Sequence, residues 1–176
     1  MTRDETKVLI GLMMASYPNF NPPDLTTTID VWAKALANDD YQMMEDAFVN
    51  YLQTDTSGFA PSPGKLRMMI ADRVIEQTTE DDGQVLNMLI MASRNASYGF
   101  EEEFNKMPPL LQKAVGSPTV IRSWGLIEQD ELRYTFDRII RTYTEYKNRQ
   151  KIDMATQGIT HTLLENVTPH MIEEKE

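Results

Sequence analysis

Apolar residues recur every three or four positions along most of the chain, and the two-residue alternation of a half-buried strand is scarce. The pattern predicts an all-α fold. A first helix opens at Thr2, where Glu5 completes a capping box, and carries Val8, Leu9, Leu12 and Met13 as its apolar stripe until Pro18 ends it. The following loop, Tyr17 to Pro23, is too rich in proline to be helical. A second helix is expected to start within Thr26–Thr28, with a threonine hydroxyl as its cap and Ile29, Trp32, Ala33 and Leu36 on one face. The third follows Asp39-Asp40 and turns Tyr41, Met44, Phe48, Tyr51 and Leu52 inward. After the loop from Gly58 to Gly64, a fourth runs from about Pro63 to Gln77. These helices are expected to close a small core around Trp32, giving a first lobe over residues 1–77.

The polar, acidic stretch Thr78–Gly83 reads as a linker. A second lobe, 84–151, then begins with Val85, Leu86, Leu89, Ile90 and Met91. Glu101–Glu103 suit a helix N-terminus, because their charge opposes the macrodipole. Pro108-Pro109 and Gly116-Ser-Pro118 punctuate two short helices holding Leu110, Leu111, Val115, Val120, Ile121 and Trp124. A long helix from about Asp130 to Lys151 buries Leu132, Phe136, Ile139, Ile140 and Tyr143 and closes the lobe. Residues 152–176 form a weakly patterned tail, in which Leu163, Leu164, Val167, Met171 and Ile172 have the spacing of a short amphipathic docking segment. The chain contains no internal repeat.

Composition narrows the function more than the fold. A chain of 176 residues can bury a stable core without metal or disulfide support, and with no cysteine it offers neither a disulfide nor a thiol nucleophile. The start is charged and no apolar run approaches a membrane span, so a cytoplasmic protein without a signal peptide is expected. The net charge of −10 argues against a general nucleic-acid coat, since phosphate binding is driven by Lys and Arg displacing counterions. Only residues 130–151 are locally basic, through Arg133, Arg138, Arg141, Lys147, Arg149 and Lys151. Arg138 and Arg141 are therefore candidate partner contacts, together with the five apolar tail residues; a solvated helix face accounts for the same charges.

Catalytic chemistry finds no foothold. Gly58 and Gly64 lie one residue too far apart for a phosphate-binding loop, Leu66 stands where the magnesium-binding hydroxyl would be, and Pro61 and Pro63 remove backbone donors. His161 and His170 fall in the tail, away from any patterned nucleophile. The acidic clusters Asp39-Asp40, Glu80–Asp82 and Glu101–Glu103 precede apolar-periodic segments, where helix capping explains them more simply than metal binding. No catalytic residue, metal site or cofactor is expected. The adjacent methionine pairs Met13-Met14, Met43-Met44 and Met68-Met69 predict one inward and one outward side chain each.

The chain resembles the small helicase loader/inhibitor proteins of bacteriophages that infect Gram-positive bacteria. In the first lobe the resemblance is carried by Tyr17-Pro-Asn-Phe20, by Trp32 and Leu36 followed by Asp39 and Tyr41, by Ala47 and Tyr51, and by Phe59-Ala-Pro-Ser-Pro63. In the second it is carried by Phe104 through Pro118, by Ile121-Arg122 and Trp124, and by the helix from Phe136 to Arg141-Thr-Tyr143. The Ala60–Pro63 stretch is a looser form of the family's proline pair, and the tail aligns with nothing in it. What the resemblance implies is a non-enzymatic adaptor. It would bind the replicative hexameric helicase through its C-terminal part, restrain ATPase and unwinding, and deliver the helicase to an origin-bound phage initiator. Two other readings stay open on the residues themselves. One is a sequence-specific DNA-binding or initiator-type protein using Arg138, Arg141, Lys147 and Arg149; the other is a phage structural or assembly protein.

Overall fold

The computed structural model describes residues 1–158, and their regular structure is all α-helical. The helices are α1 (Arg3–Ser16), α2 (Leu25–Ala35), α3 (Tyr41–Thr54), α4 (Pro63–Thr78), α5 (Asp82–Arg94), α6 (Phe100–Lys106), α7 (Pro109–Val115), α8 (Pro118–Trp124) and α9 (Gln129–Gln157). The chain divides into two compact units. Among the described residues, lobe 1 is residues 1–78 together with 151–158, and lobe 2 is Thr79–Gln150.

Local chemistry sets the helix starts. Thr2 and Glu5 form the capping box of α1, and Asp81 and Gln84 form another on α5. Asp40 caps α3 by accepting from the Met43 amide at 3.0 Å. The Glu101–Glu103 run occupies the first turn of α6. The second helix departs from expectation. Its cap is Asp24, which takes the Thr27 amide at 3.0 Å, so α2 opens ahead of the threonines. A carboxylate accepts this bond with full charge, and it outcompetes the neutral hydroxyls that follow.

In lobe 1 the centre is built from Leu9, Met13, Leu36, Met44, Leu66 and Ala71, each fully buried. Trp32 is not the hub: it is half-buried at the edge of this cluster, set edge-on to Phe20 with centroids 6.2 Å apart. The buried face of α1 is Thr6, Leu9, Ile10 and Met13, whereas Val8 and Leu12 are 52% and 37% exposed. Thr6 tolerates full burial because its hydroxyl donates to the Thr2 carbonyl at 2.8 Å. Met13 and Met44 point inward while Met14 and Met43 are half-exposed; Met68 and Met69 are both half-buried.

The long helix runs further than its pattern predicts. Residues 152–157, expected to be tail, are its last turns, and Met154 is buried in the lobe 1 core. Gly158 ends the helix at φ +93, a left-handed stop that glycine adopts without steric cost. A Cβ there would lie 2.8 Å from the Asn38 Cβ, so the chain passes too close to the α2–α3 corner for a larger residue.

Lobe 2 packs α5 to α8 and most of α9 around Val85, Leu89, Leu111, Ile121, Trp124, Phe136 and Tyr143. Trp124 meets Phe136 edge-to-face with centroids 5.3 Å apart. Leu86 and Met91, expected on the apolar side of α5, are 37% and 56% exposed.

Candidate partner-binding site

The sequence-predicted contacts fall into two groups. Leu163, Leu164, Val167, Met171 and Ile172 lie outside the described residues, as do His161 and His170. Arg138 and Arg141 lie on α9, whose inner face of Leu132, Phe136, Ile139 and Tyr143 fixes their direction: both are exposed. Neither makes an ion pair among the described residues.

The rest of the basic stretch is divided by its surroundings. Lys147 donates to the Glu80 carbonyl at 2.9 Å and lies 5.5 Å from the centre of the Tyr143 ring, so it is committed to the fold. Lys151 pairs with Asp72 in lobe 1. Arg133, Arg138, Arg141 and Arg149 remain exposed, but Asp137 and Glu145 stand exposed among them. The outward face therefore alternates in charge, with Tyr134 at 75% exposure and Ile152 at 54% along it. Phosphate binding is driven by Lys and Arg displacing counterions, and the acids interspersed on this face oppose it. A mixed face with exposed apolar side chains suits a protein surface better.

Lobe 1 also holds a polar hub that the sequence pattern does not reveal. Asp39, expected with Asp40 as a capping cluster, is instead buried and held by Arg67. The guanidinium Nε donates to the two carboxylate oxygens at 3.1 and 2.9 Å, and Nη2 reaches Oδ2 at 2.7 Å. The same group donates to the Ala35 carbonyl at 2.5 Å and to the Ala155 carbonyl at 3.4 Å. One side chain on α4 thus ties the end of α2, the α2–α3 corner and the last turns of α9. The pair lies 28 residues apart, a separation that periodicity does not report.

The loop from Asp55 to Gly64 is organised by Asp55. Asp55 accepts from the Ser57 hydroxyl at 2.6 Å, from the Ser57 and Gly58 amides at 2.9 and 3.0 Å, and from the Tyr17 hydroxyl at 3.2 Å. The Ser57 hydroxyl leads in holding its carboxyl down to about 2. Ser62 takes the Lys65 amide at 3.2 Å at the start of α4. The Ser57, Gly58, Phe59 and Lys65 amides are thus engaged by Asp55, Ser57 and Ser62 side chains. Among the described residues no cluster of three potential metal ligands occurs, and no helix is long and apolar enough to cross a membrane.

In lobe 2 the counterpart hub is built on a phenol. The Tyr143 hydroxyl donates to a Glu80 carboxylate oxygen at 3.0 Å and accepts from the Glu80 amide at 3.1 Å. Burial first, and then the Glu80 carboxylate, pushes its pKa well above the usual tyrosine range.

Residues 1–67 match the family model for the N-terminal domain of the phage SPP1 helicase loader/inhibitor. The match covers most of lobe 1 up to Arg67 and stops there; the resemblance drawn through the second lobe lies outside it. No curated protein and no solved structure matches the chain.

Proposed function

With a helicase loader/inhibitor domain in the first lobe as the premise, we propose that this chain is a phage DNA-replication adaptor acting in the host cytoplasm. It binds the replicative hexameric helicase, restrains its ATPase and unwinding, and helps load it at an origin bound by the phage initiator. It acts by binding alone, without catalysis or cofactor. The family match over residues 1–67 is the observation that carries this reading. The net charge of −10 and the mixed-charge face of α9 support it against a DNA-coating protein.

Inhibition requires only that the chain favour one helicase conformer, because a hexamer held in one state cannot cycle. Net negative charge speeds encounter with a basic helicase surface and selects against acidic ones. Arg138, Arg141 and the apolar residues Leu163, Leu164, Val167, Met171 and Ile172 are proposed as contacts.

The test is helicase turnover on single-stranded DNA with increasing amounts of the chain. ATPase and unwinding should fall together to a plateau, and undiminished activity at saturation would refute the proposal. Deleting residues 159–176 should release the inhibition while both lobes keep their melting behaviour. The cut belongs after Gly158, because a cut at 152 would remove Met154 from the lobe 1 core.

A further inference from the structure

We infer that residues 151–158, the last turns of α9, form a latch on lobe 1 that opens without unfolding the rest of that lobe. The other described residues of lobe 1 are 1–78, so this segment returns to the lobe after the intervening residues 79–150. Lys151 pairs with Asp72 on α4, and Met154 enters the core. The Ala155 carbonyl accepts from Arg67, and Gly158 seats against Asn38.

These contacts are uneven in strength. Met154 is the one large apolar side chain that the segment buries, while Ile152, Asp153, Thr156 and Gln157 are exposed. The Lys151–Asp72 pair is partly open to water, where an ion pair contributes little. The rest of the lobe 1 core comes from residues 1–78, with Leu9, Met13, Leu36, Met44 and Leu66 fully buried. A segment held by one buried side chain opens at a lower free energy than the lobe it rests on.

Arg67 shows how the two separate. Among the described residues its bond to Ala155, at 3.4 Å, is the longest the guanidinium makes; those to Asp39 and Ala35 lie between 2.5 and 3.1 Å. Opening breaks the long bond and leaves the buried carboxylate with its guanidinium, so no charge is stranded. Gly158 marks the closed state at the other end. Its φ of +93 and the 2.8 Å that would separate a Cβ from the Asn38 Cβ are constraints of the seated chain alone. Released, the eight residues of the latch span up to about 27 Å when extended. A consequence that rests on the adaptor reading above is a longer reach for the proposed contacts from Leu163 to Ile172, which follow the latch in the chain.

The chain has no cysteine, so a single introduced thiol reports on one position. Met154→Cys is made in the full-length chain, and its reaction with iodoacetamide is timed over a range of urea below the unfolding transition. Met13→Cys and Met44→Cys, both within the lobe 1 core, are the references, and a denaturation curve of each variant corrects for differences in stability. The thiol at position 154 should react at least about tenfold faster than either reference, at a rate nearly independent of urea, because a local opening exposes little surface. The reference thiols should react only as the lobe unfolds, with the steep urea dependence of that event. Adding Gly158→Ala to Met154→Cys should quicken the reaction about tenfold, through strain that only the seated chain feels. Amide exchange of the unsubstituted chain at 154–157 gives the same comparison without a change at Met154. Reaction at 154 with the rate and urea dependence of the references would make the segment an integral part of the lobe and overturn the latch. So would reaction as fast as free cysteine, which leaves no closed state, or a rate that Gly158→Ala does not change. All of this uses the chain alone: its failure removes the latch and leaves the helicase reading standing. A chain that does not co-elute with the hexamer loses the helicase reading and keeps the latch.

Discussion

Lobe 1 ties its helices together through a buried charge pair, and lobe 2 does so through a phenol. The Arg67–Asp39 pair spans three elements of lobe 1, with the two side chains only 15% and 0% exposed. Tyr143 serves lobe 2 by joining α9 to the residues just ahead of α5, with the hydroxyl as donor and acceptor at once. The two devices fail differently. Removing one member of a buried ion pair strands the other charge away from water, whereas removing a hydroxyl strands only neutral or solvent-reachable groups.

Arg67→Ala should therefore produce the largest effect, a loss of about 3–5 kcal/mol in chemical denaturation, because the Asp39 carboxylate stays buried after losing the guanidinium. Replacing both residues with apolar ones of similar volume should recover much of the loss, which would identify the stranded charge as its cause. Tyr143→Phe, the matching lesion in lobe 2, should cost about 1–2 kcal/mol by leaving the Glu80 amide without its acceptor. Equal losses from the two variants would erase the proposed distinction.

Gly158→Ala probes where α9 stops against lobe 1. The left-handed backbone and the close approach to Asn38 together should cost about 1–2 kcal/mol, and amide exchange in the last turn of α9 should quicken. The smallest change is expected for Asp55→Asn, and it depends on pH. The carboxyl titrates at about 2 in the folded chain, against roughly 3.9 when unfolded. Its contribution is therefore present above about pH 4 and is lost as the pH falls toward 2. Parent and variant should differ in melting temperature at neutral pH and converge by about pH 2.

The same contrast explains what is legible in the sequence. Elements whose signals are local come through: the Thr2–Glu5 capping box, the loop prolines, and the acidic first turn of α6. Periodicity makes Trp32 look like the hub because it gives a face and not a depth, and Leu36, Met44 and Leu66 from three other places on the chain fill the centre. The final turns of α9 escape the pattern because a single buried side chain, Met154, marks them as lobe 1 core. Of the candidate site, exposure of Arg138 and Arg141 follows from the inner face of their own helix. The loss of Lys147 and Lys151 to Glu80 and Asp72 depends on residues in distant parts of the chain, beyond the reach of any local pattern.

Gripping a helicase is the claim beneath all of this, and size-exclusion chromatography of the full chain with the purified hexamer, with and without a slowly hydrolysed nucleotide, addresses it most directly. The account predicts a shared peak that is strengthened by the nucleotide. Separate elution under both conditions would contradict it.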